Sequence, residues 1–393
     1  MLKIGLVLHK TPSKSEKFLT SKIKGLQNNG HRVILFAHNE DNFKLCEVVE
    51  SVKISRLFLL QIIRMVLRYL IIIFKSPLVV SRYLNLEKLD GVSFQKRWEN
   101  LYLNSTILDK KLHWIHFCFA TTAIRKENIA KAINAKMGVS LRGYDVNIYP
   151  LKNPNCYYLL WRKVDKVHSI SYALLEKAKA LGLTDNINKM VIFPAIDRNI
   201  FTIKYANEDL RSNHKIEILT VARLHWIKGL EYTIEALAKL KDIDFNYTII
   251  GSGEEYERIT LIINQFKLTE KVRLVGHVAQ KDLTPFYKKA HIYVQYSIEE
   301  GFCNAVIEAQ SMGLLTVVSN ASGLKENIIN GKTGWIVPKR EPILLAKKIE
   351  QIINVNSSKL NKIRSNSIER VKNKFDLNYQ NEQFNKFFND YIF

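Results

Sequence analysis

IEILTVARLHWIKGLEYTIEALAKLKDIDFNYTIIGSGEEYERITLIINQFKLTEKVRLVG, residues 216–276, alternates short apolar runs with longer amphipathic segments. Ile216–Leu224, Phe245–Gly251 and Val272–Gly276 read as strands, and Leu230–Leu240 and Glu255–Phe266 read as helices of period 3.6. The rhythm continues downstream. Lys281–Lys289, Asn304–Met312 and Gly323–Asn330 read as helices between strands Ile292–Ser297, Leu315–Ser319 and Gly334–Pro338. Strands separated by helices imply a parallel sheet covered on both faces, a doubly wound α/β domain.

The N-terminal half has the same rhythm, less regularly. Lys3–His9 reads as a strand, Phe18–Asn28 as a helix stopped by Gly30, and His31–His38 as the second strand. Leu112–Cys118 follows, then an alanine-rich helix to about Met137, the strands Lys136–Leu141 and Asp165–Ile170, the helix Tyr172–Gly182 and the strand Val191–Pro194. The expected plan is an N-terminal domain over 1–196, a polar linker over 197–214, a second domain over 215–374, and an aromatic-rich tail over 375–393 that docks on a domain surface. With 393 residues, two or three domains are expected at about 150 residues each. Open sheets bind ligands outside the carboxyl ends of their strands, so function belongs in the cleft that two such domains would share.

Apolar residues make up 47% of the chain and charged residues 24%, enough to fold and far from a disordered composition. Fifty-nine Lys and Arg against thirty-seven Asp and Glu leave a net charge of +22, which calls for an anionic partner: nucleic acid, acidic lipid or a phosphorylated small molecule. The four cysteines stand apart, without zinc or disulfide spacing, as expected in a reducing compartment. MLKIGLVLHK is too short an apolar run for a signal peptide and reads as a first strand.

Residues 51–86 differ from their surroundings, with six basic residues and no acidic one in SVKISRLFLLQIIRMVLRYLIIIFKSPLVVSRYLNL. Gln61, Arg64 and Arg68 interrupt the run before the roughly 20 apolar residues a membrane span needs. Two readings fit it: a basic amphipathic helix lying on anionic lipid, or a buried helical hairpin with arginines reaching the rim.

The chemistry concentrates in SIEEGFCNAVIEAQSMGLLTVV, residues 297–318. Gly301 permits a tight strand-to-helix turn close to a ligand. The helix opening near Cys303 or Asn304 presents free N–H groups and a positive dipole end, suited to phosphate. Glu308, inside that helix, can accept two hydrogen bonds from a ribose diol, and Glu300 in the turn can do the same for sugar hydroxyls. Either glutamate alone would read as a solvated surface residue; the turn between them reverses that reading.

EGFCNAVIE resembles the E-x7-E signature of the large retaining group of GT-B glycosyltransferases, also called glycosyltransferase group 1 or family 4. VARLHWIKG supplies Arg223 and Lys228 where that family carries a basic pair, and IIGSGEE, VGHV and GLKENIINGKTGW follow in the family's order. HKTPSKSEKF resembles the opening of the relatives that build exopolysaccharide and colanic-acid-type repeat units. The resemblance implies a GT-B fold, α/β with two Rossmann-like domains facing across a cleft. It implies that Arg223 and Lys228 hold the donor diphosphate and that Glu300 meets the sugar. Gly251, Gly253, Val278, Gly301, Phe302, Asn304 and Glu308 would then surround the nucleotide. Ser13, Ser15 and Glu16 would line the acceptor side, though a helix cap with a first-turn glutamate explains them as well. Arg142, in VSLRGYDVN, stands where many relatives carry a histidine, and would act electrostatically near the diphosphate. His113 and His116 read as strand residues rather than metal ligands, and Asp242 and Asp244 as loop.

The expected function is retaining transfer of a hexose from a nucleoside-diphosphate sugar, UDP- or GDP-linked, to a glycan acceptor on a lipid carrier. No cofactor and no metal is expected. The protein is expected to be cytoplasmic and peripheral on the anionic inner face of the cell membrane, with its oligomeric state left open. A sugar-nucleotide epimerase of the same fold and a catalytically silent scaffold are the rivals. A nucleic-acid partner is disfavoured because the basic residues are scattered and no RNP, KH or helix-turn-helix pattern occurs.

Overall fold

The computed structural model describes residues 1–12, 16–39, 43–201, 210 and 215–390. The chain divides into two compact units: residues 1–170, 174–192 and 381–393 form one, and residues 171–173 and 193–380 the other. The 202–209 and 211–214 stretches of the expected linker, together with Ser13, Ser15, Tyr391 and Phe393, lie outside the described residues.

The first unit is built on seven parallel strands: β1 (Lys3–Lys10), β2 (Arg32–His38), β3 (Glu47–Val49), β4 (Trp114–Phe117), β5 (Lys136–Leu141), β6 (Lys166–Ser169) and β7 (Asn188–Val191). Their spatial order is β3-β2-β1-β4-β5-β6-β7. The second unit carries six parallel strands: β8 (Ile216–Val221), β9 (Phe245–Ile250), β10 (Val272–Gly276), β11 (Ile292–Gln295), β12 (Leu315–Ser319) and β13 (Trp335–Val337), in the order β10-β9-β8-β11-β12-β13. In each sheet the order reverses beside its first strand, between β1 and β4 and between β8 and β11, the arrangement of a Rossmann-like domain. The β-branched runs expected as strands are buried on both faces, as in Ile292–Gln295, where all four residues are inaccessible.

Some sequence expectations fail locally. The alanine-rich stretch before Met137 forms a 3-10 turn, Ala120–Ala123, and one helical turn, Ile129–Ala132, in place of a continuous helix. Arg125 and Asn134 there take left-handed backbone conformations that interrupt helical geometry. Gly323–Asn327 is a 3-10 turn where a longer helix was expected. The strand expected at Val191–Pro194 sits earlier, as β7.

The basic insertion forms helices Phe58–Lys75 and Pro77–Leu89. The first runs about 27 Å at 1.5 Å per residue and is turned inside out. Gln61, Arg64, Arg68, Tyr69 and buried Ile72 recur at helical spacing on the side facing the domain. Leu59, Ile62, Ile63, Val66, Leu67, Leu70 and Ile71 face outward, with Phe58 77% and Phe74 83% exposed at the two ends. This helix is therefore not the buried member of a hairpin. Nor are its cations all uncompensated: Arg68 Nε donates to Ser105 Oγ at 2.7 Å, and Asp109 lies 3.6 Å from Arg68 and 3.9 Å from Lys75. No helix among the described residues is long and apolar enough to cross a membrane.

Candidate active site

The crevice in the second sheet lies beyond the carboxyl ends of β8 and β11, adjacent strands whose following connections lead away in opposite directions. The chain leaving β8 carries Arg223 and Lys228, and the chain leaving β11 carries Glu300. The two segments are stapled together, with Ile298 N donating to Ile227 O at 2.8 Å. Gly229, at φ +60°, belongs to the same contact: a Cβ there would stand 2.3 Å from the Tyr296 carbonyl oxygen. Any side chain at that position would wedge the two segments apart.

Lys228 and Glu300 meet in this crevice. Lys228 Nζ donates to Glu300 Oε2 at 2.5 Å, both side chains being 14% exposed. Ser297 Oγ donates to the same oxygen at 3.3 Å. Burial alone would lower the Lys228 pKa, but the Glu300 carboxylate more than offsets it and the net shift is upward, keeping the ammonium charged. Arg223 is exposed, and its charge is felt at Lys228.

Gly251 and Gly253 brace the Arg223 segment. A Cβ on Gly251, whose φ is +145°, would stand 1.8 Å from Ala222 O, and one on Gly253 would stand 2.1 Å from Leu224 O. The amides of Ala222 and Leu224 bond to the carbonyls of Ile250 and Ser252. The glycine turn thus lets two backbones touch and sets the start of the Arg223 segment. On the other side, Gly323 N donates to Glu300 O, and buried Asn327 bonds both the N–H and the carbonyl of Cys303. Gly301 packs against Gly323.

Glu308 sits on the helix Asn304–Ser311 and is 4% exposed. Its two oxygens are already engaged: Gln280 Nε2 donates to Oε1 at 2.7 Å and Tyr287 OH to Oε2 at 2.9 Å. Burial, then the Glu308 charge, pushes the Tyr287 phenol far above its ordinary range, so it stays a donor. Asn304 is exposed at the helix start, and Val278 is half-buried after β10. The Phe302 ring is buried, with ring centroids 5.5 Å from Phe193 and 5.4 Å from Phe375. Its side chain is committed to packing, and it holds the turn in place.

In the first unit Arg142 follows β5. Its guanidinium lies 3.8 Å from the Phe18 ring centroid, and Nε donates to Cys118 O at 3.3 Å. Burial lowers its pKa to about 10 against the opposing pull of Cys118, Asp145 and Glu16. Burial likewise pushes Asp145 up to about 6. His113 Nδ1 accepts from Lys3 N, and His116 lies fully buried in a polar row with Lys22, Ser140 and His168. No group of three or more His, Cys, Asp or Glu among the described residues is placed to hold a metal.

Sequence reasoning missed Gln280 and Tyr287, the partners of Glu308, and Gln295 and Ser297, which lie behind Glu300. Gln295 and Ser297 left a legible signal: polar residues at alternate positions of IYVQYS, an otherwise apolar buried strand.

The chain is similar to known glycosyltransferases. Residues 203–370 match the family model for glycosyl transferases group 1. The chain is 25% identical over 282 residues to the colanic acid biosynthesis glycosyltransferase WcaL of Salmonella typhimurium, covering 68% of each chain. It is 29% identical over 245 residues to the amylovoran biosynthesis glycosyltransferase AmsK of Erwinia amylovora, covering 59% of this chain and 58% of that one. It is 30% identical over 186 residues to the capsular polysaccharide biosynthesis glycosyltransferase CapM of Staphylococcus aureus, covering 46% of this chain and 47% of that one. The chain thus spans about half to two thirds of the length of these relatives. A Rickettsia africae glycosyltransferase superposes with a TM-score of 0.70 at 20% identity, covering 99% of this chain and 98% of that one. The Anabaena protein HepE, solved with UDP-glucose, superposes with a TM-score of 0.71 at 16% identity over 98% and 99% of the two chains. With two Rossmann-like sheets and the E-x7-E turn at the reversal of the second, the chain has the GT-B fold, and its residues 203–370 are a glycosyl transferases group 1 domain.

Proposed function

We propose that the protein is a retaining hexosyltransferase of surface-polysaccharide synthesis, moving a sugar from a UDP- or GDP-linked donor to a lipid-linked glycan. The observation that carries this reading is the Lys228–Glu300 pair beside Arg223, at the carboxyl ends of β8 and β11. Arg223, exposed and with no side-chain hydrogen-bond partner among the described residues, meets the donor diphosphate with its guanidinium fork. Lys228 has three N–H donors and spends one on Glu300, which leaves two for phosphate oxygens. Glu308, oriented by Gln280 and Tyr287, is the carboxylate that meets the ribose diol.

The chemistry follows from that arrangement. As the glycosidic bond lengthens, charge grows on the leaving diphosphate, where Arg223 and Lys228 stabilise it without reorganising. The acceptor hydroxyl enters on the face the diphosphate leaves and passes its proton to a phosphate oxygen, so the anomeric configuration is kept. Positioning and charge carry the rate, and no covalent nucleophile or metal is required. The names of the colanic acid, amylovoran and capsular relatives support a polysaccharide product. The outward apolar face of helix Phe58–Lys75 supports a peripheral seat on the anionic inner face of the cell membrane, where a lipid carrier would be met.

Thermal-shift screening against UDP-, GDP-, ADP- and CMP-sugars should show stabilisation by one nucleotide class. NMR of the first-formed product should then show the donor's anomeric configuration, with EDTA leaving the rate unchanged; an inverted product would sink the mechanism.

A further inference from the structure

We propose that Tyr293, Gln295 and Ser297 form a one-directional hydrogen-bonded spine that positions Glu300, holding Oε2 on Lys228 and leaving Oε1 for the donor sugar. The proposal rests on the reading of Glu300 as a donor-contacting residue. The three residues alternate along β11 and its extension, so they share one face of the strand. Each is fully buried. Tyr293 OH donates to Gln295 Oε1 at 2.9 Å, Gln295 Nε2 donates to Ser297 Oγ at 2.9 Å, and Ser297 Oγ donates to Glu300 Oε2 at 3.3 Å.

Proton bookkeeping gives the chain its direction. Gln295 Nε2 can only donate, so Ser297 Oγ accepts there and its single hydrogen goes to Glu300, whose carboxylate can only accept. At the far end the Val221 amide donates to Tyr293 OH at 3.4 Å; Val221 O, 3.3 Å from that hydroxyl, is a second acceptor for its hydrogen, and the shorter 2.9 Å contact directs it to Gln295. The backbone is pinned in parallel, with Ser319 Oγ donating to Ser297 O at 2.5 Å and Gly323 N to Glu300 O at 2.9 Å. Glu300 Oε1, by contrast, makes no hydrogen bond to the described residues. An apolar strand would have been the cheaper core, since buried polar groups cost stability unless all are bonded. Here they are, and the chain ends on a carboxylate of the crevice.

The test compares full-length Ser297→Ala, Ser297→Thr, Gln295→Met and Glu300→Gln with the wild type. Turnover is followed with UDP-glucose and GDP-mannose, using whichever is consumed faster. Lys228 reactivity is followed by competitive acetic anhydride labelling and mass spectrometry, a readout that needs no donor. Ser297→Ala should lower kcat about fivefold with the donor KM changed less than about twofold, as for one lost hydrogen bond of ordinary strength at 3.3 Å. Lys228 should label faster, because a freely rotating Glu300 spends time away from the ammonium. Ser297→Thr should restore both readouts, and Gln295→Met should shift both in the same direction by less. Unchanged kcat and labelling in folded Ser297→Ala, with Glu300→Gln inactive, would overturn the spine alone. Full activity in Glu300→Gln would remove the reading of Glu300 and the spine with it. If Ser297→Ala does not fold, unchanged labelling in Gln295→Met overturns the proposal.

Discussion

Helix Phe58–Lys75 and the C-terminal residues 381–390 both carry large apolar side chains at helical spacing, and the first unit uses them in opposite ways. The C-terminal segment turns its apolar face inward. Phe384, Phe387 and Phe388 are buried, with Trp114 and Phe388 ring centroids 5.5 Å apart and Phe387 and Phe388 5.0 Å apart. Its end is also satisfied, with Lys166 Nζ donating to Phe387 O at 2.9 Å and Trp114 Nε1 to Phe388 O at 3.1 Å. These are carbonyls of a last helical turn, which otherwise lack partners. Helix Phe58–Lys75 sends its polar residues inward instead, Arg68 to Ser105 and Asp109 and Tyr69 OH to Trp98 O, and leaves the aliphatic face outside. Amphipathy marks two faces of a helix. The polar partners waiting on the domain decide which face turns in.

The largest effect expected from this contrast is on stability. Phe387→Ala should cost about 3 to 5 kcal/mol in denaturant unfolding, the range for emptying a buried aromatic site. A cost under about 1 kcal/mol would mean that the C-terminal segment only rests on the domain. The same truncation on the other helix should do the reverse. Replacing Leu59, Ile63, Leu67 and Leu70 together by Gln should move stability little, about 0.5 kcal/mol or less per exposed site. It should lower binding to vesicles containing anionic lipid by more than about 100-fold, because each aliphatic side chain loses part of about 1.5 to 3 kcal/mol of burial. Unchanged sedimentation with vesicles would show that the face meets something other than lipid.

A smaller effect separates the cations. Arg68 is spent on Ser105 and Asp109, so Arg68→Gln should lower stability more than membrane binding. Lys53 and Arg56 are exposed just before this helix, and each replaced by Gln should weaken anionic-vesicle binding by about 1 kcal/mol, an effect that high salt erases. Equal salt sensitivity for Arg68→Gln and Arg56→Gln would break the distinction.

Much of this was legible in the sequence. The β-branched runs of the second domain located all six strands, because a parallel sheet buried on both faces needs continuous apolar text. The turn carrying Glu300 and Glu308 could be located from Gly301 and the helix start. What the sequence withheld were partners brought in from elsewhere in the chain: Gln280 and Tyr287 on Glu308, and Asp109, which compensates Arg68 from more than 40 residues away. The orientation of helix Phe58–Lys75 was hidden for the same reason, since the groups that draw its polar side inward lie on Phe94–Leu108 and just after it. The break in the alanine-rich stretch depends on left-handed residues such as Asn134, where local propensity favoured a helix.

The last and smallest effect concerns pH, and arises where the C-terminal segment covers the first sheet. Lys22 is 3% exposed, its ammonium 4.3 Å from the Phe384 ring centroid. Nζ lies 3.0 Å from His116 Nε2, which is 2.8 Å from Ser140 Oγ; that oxygen is 2.8 Å from His168 Nδ1, and His168 Nε2 donates to Ile192 O. Burial, assisted by the Arg142 charge and opposed by Cys118, brings the Lys22 pKa down to about 8 from 10.5. Burial and the Lys22 charge also hold His116 and His168 far below the ordinary histidine range. Between pH 8 and 10.5 the unfolded chain keeps a proton on Lys22 that the folded chain has lost, so Lys22 makes stability rise with pH across that window. Below about 6.5 the unfolded histidines take up protons that the folded ones refuse, so stability falls as pH drops there. Wild type should therefore gain stability relative to Lys22→Met between pH 7.5 and 9.5, because methionine fills similar space without titrating. Denaturant midpoints that run parallel for the two proteins across that range would mean that Lys22 reaches water past Phe384, and that the C-terminal segment covers the sheet less completely than its aromatic side chains imply.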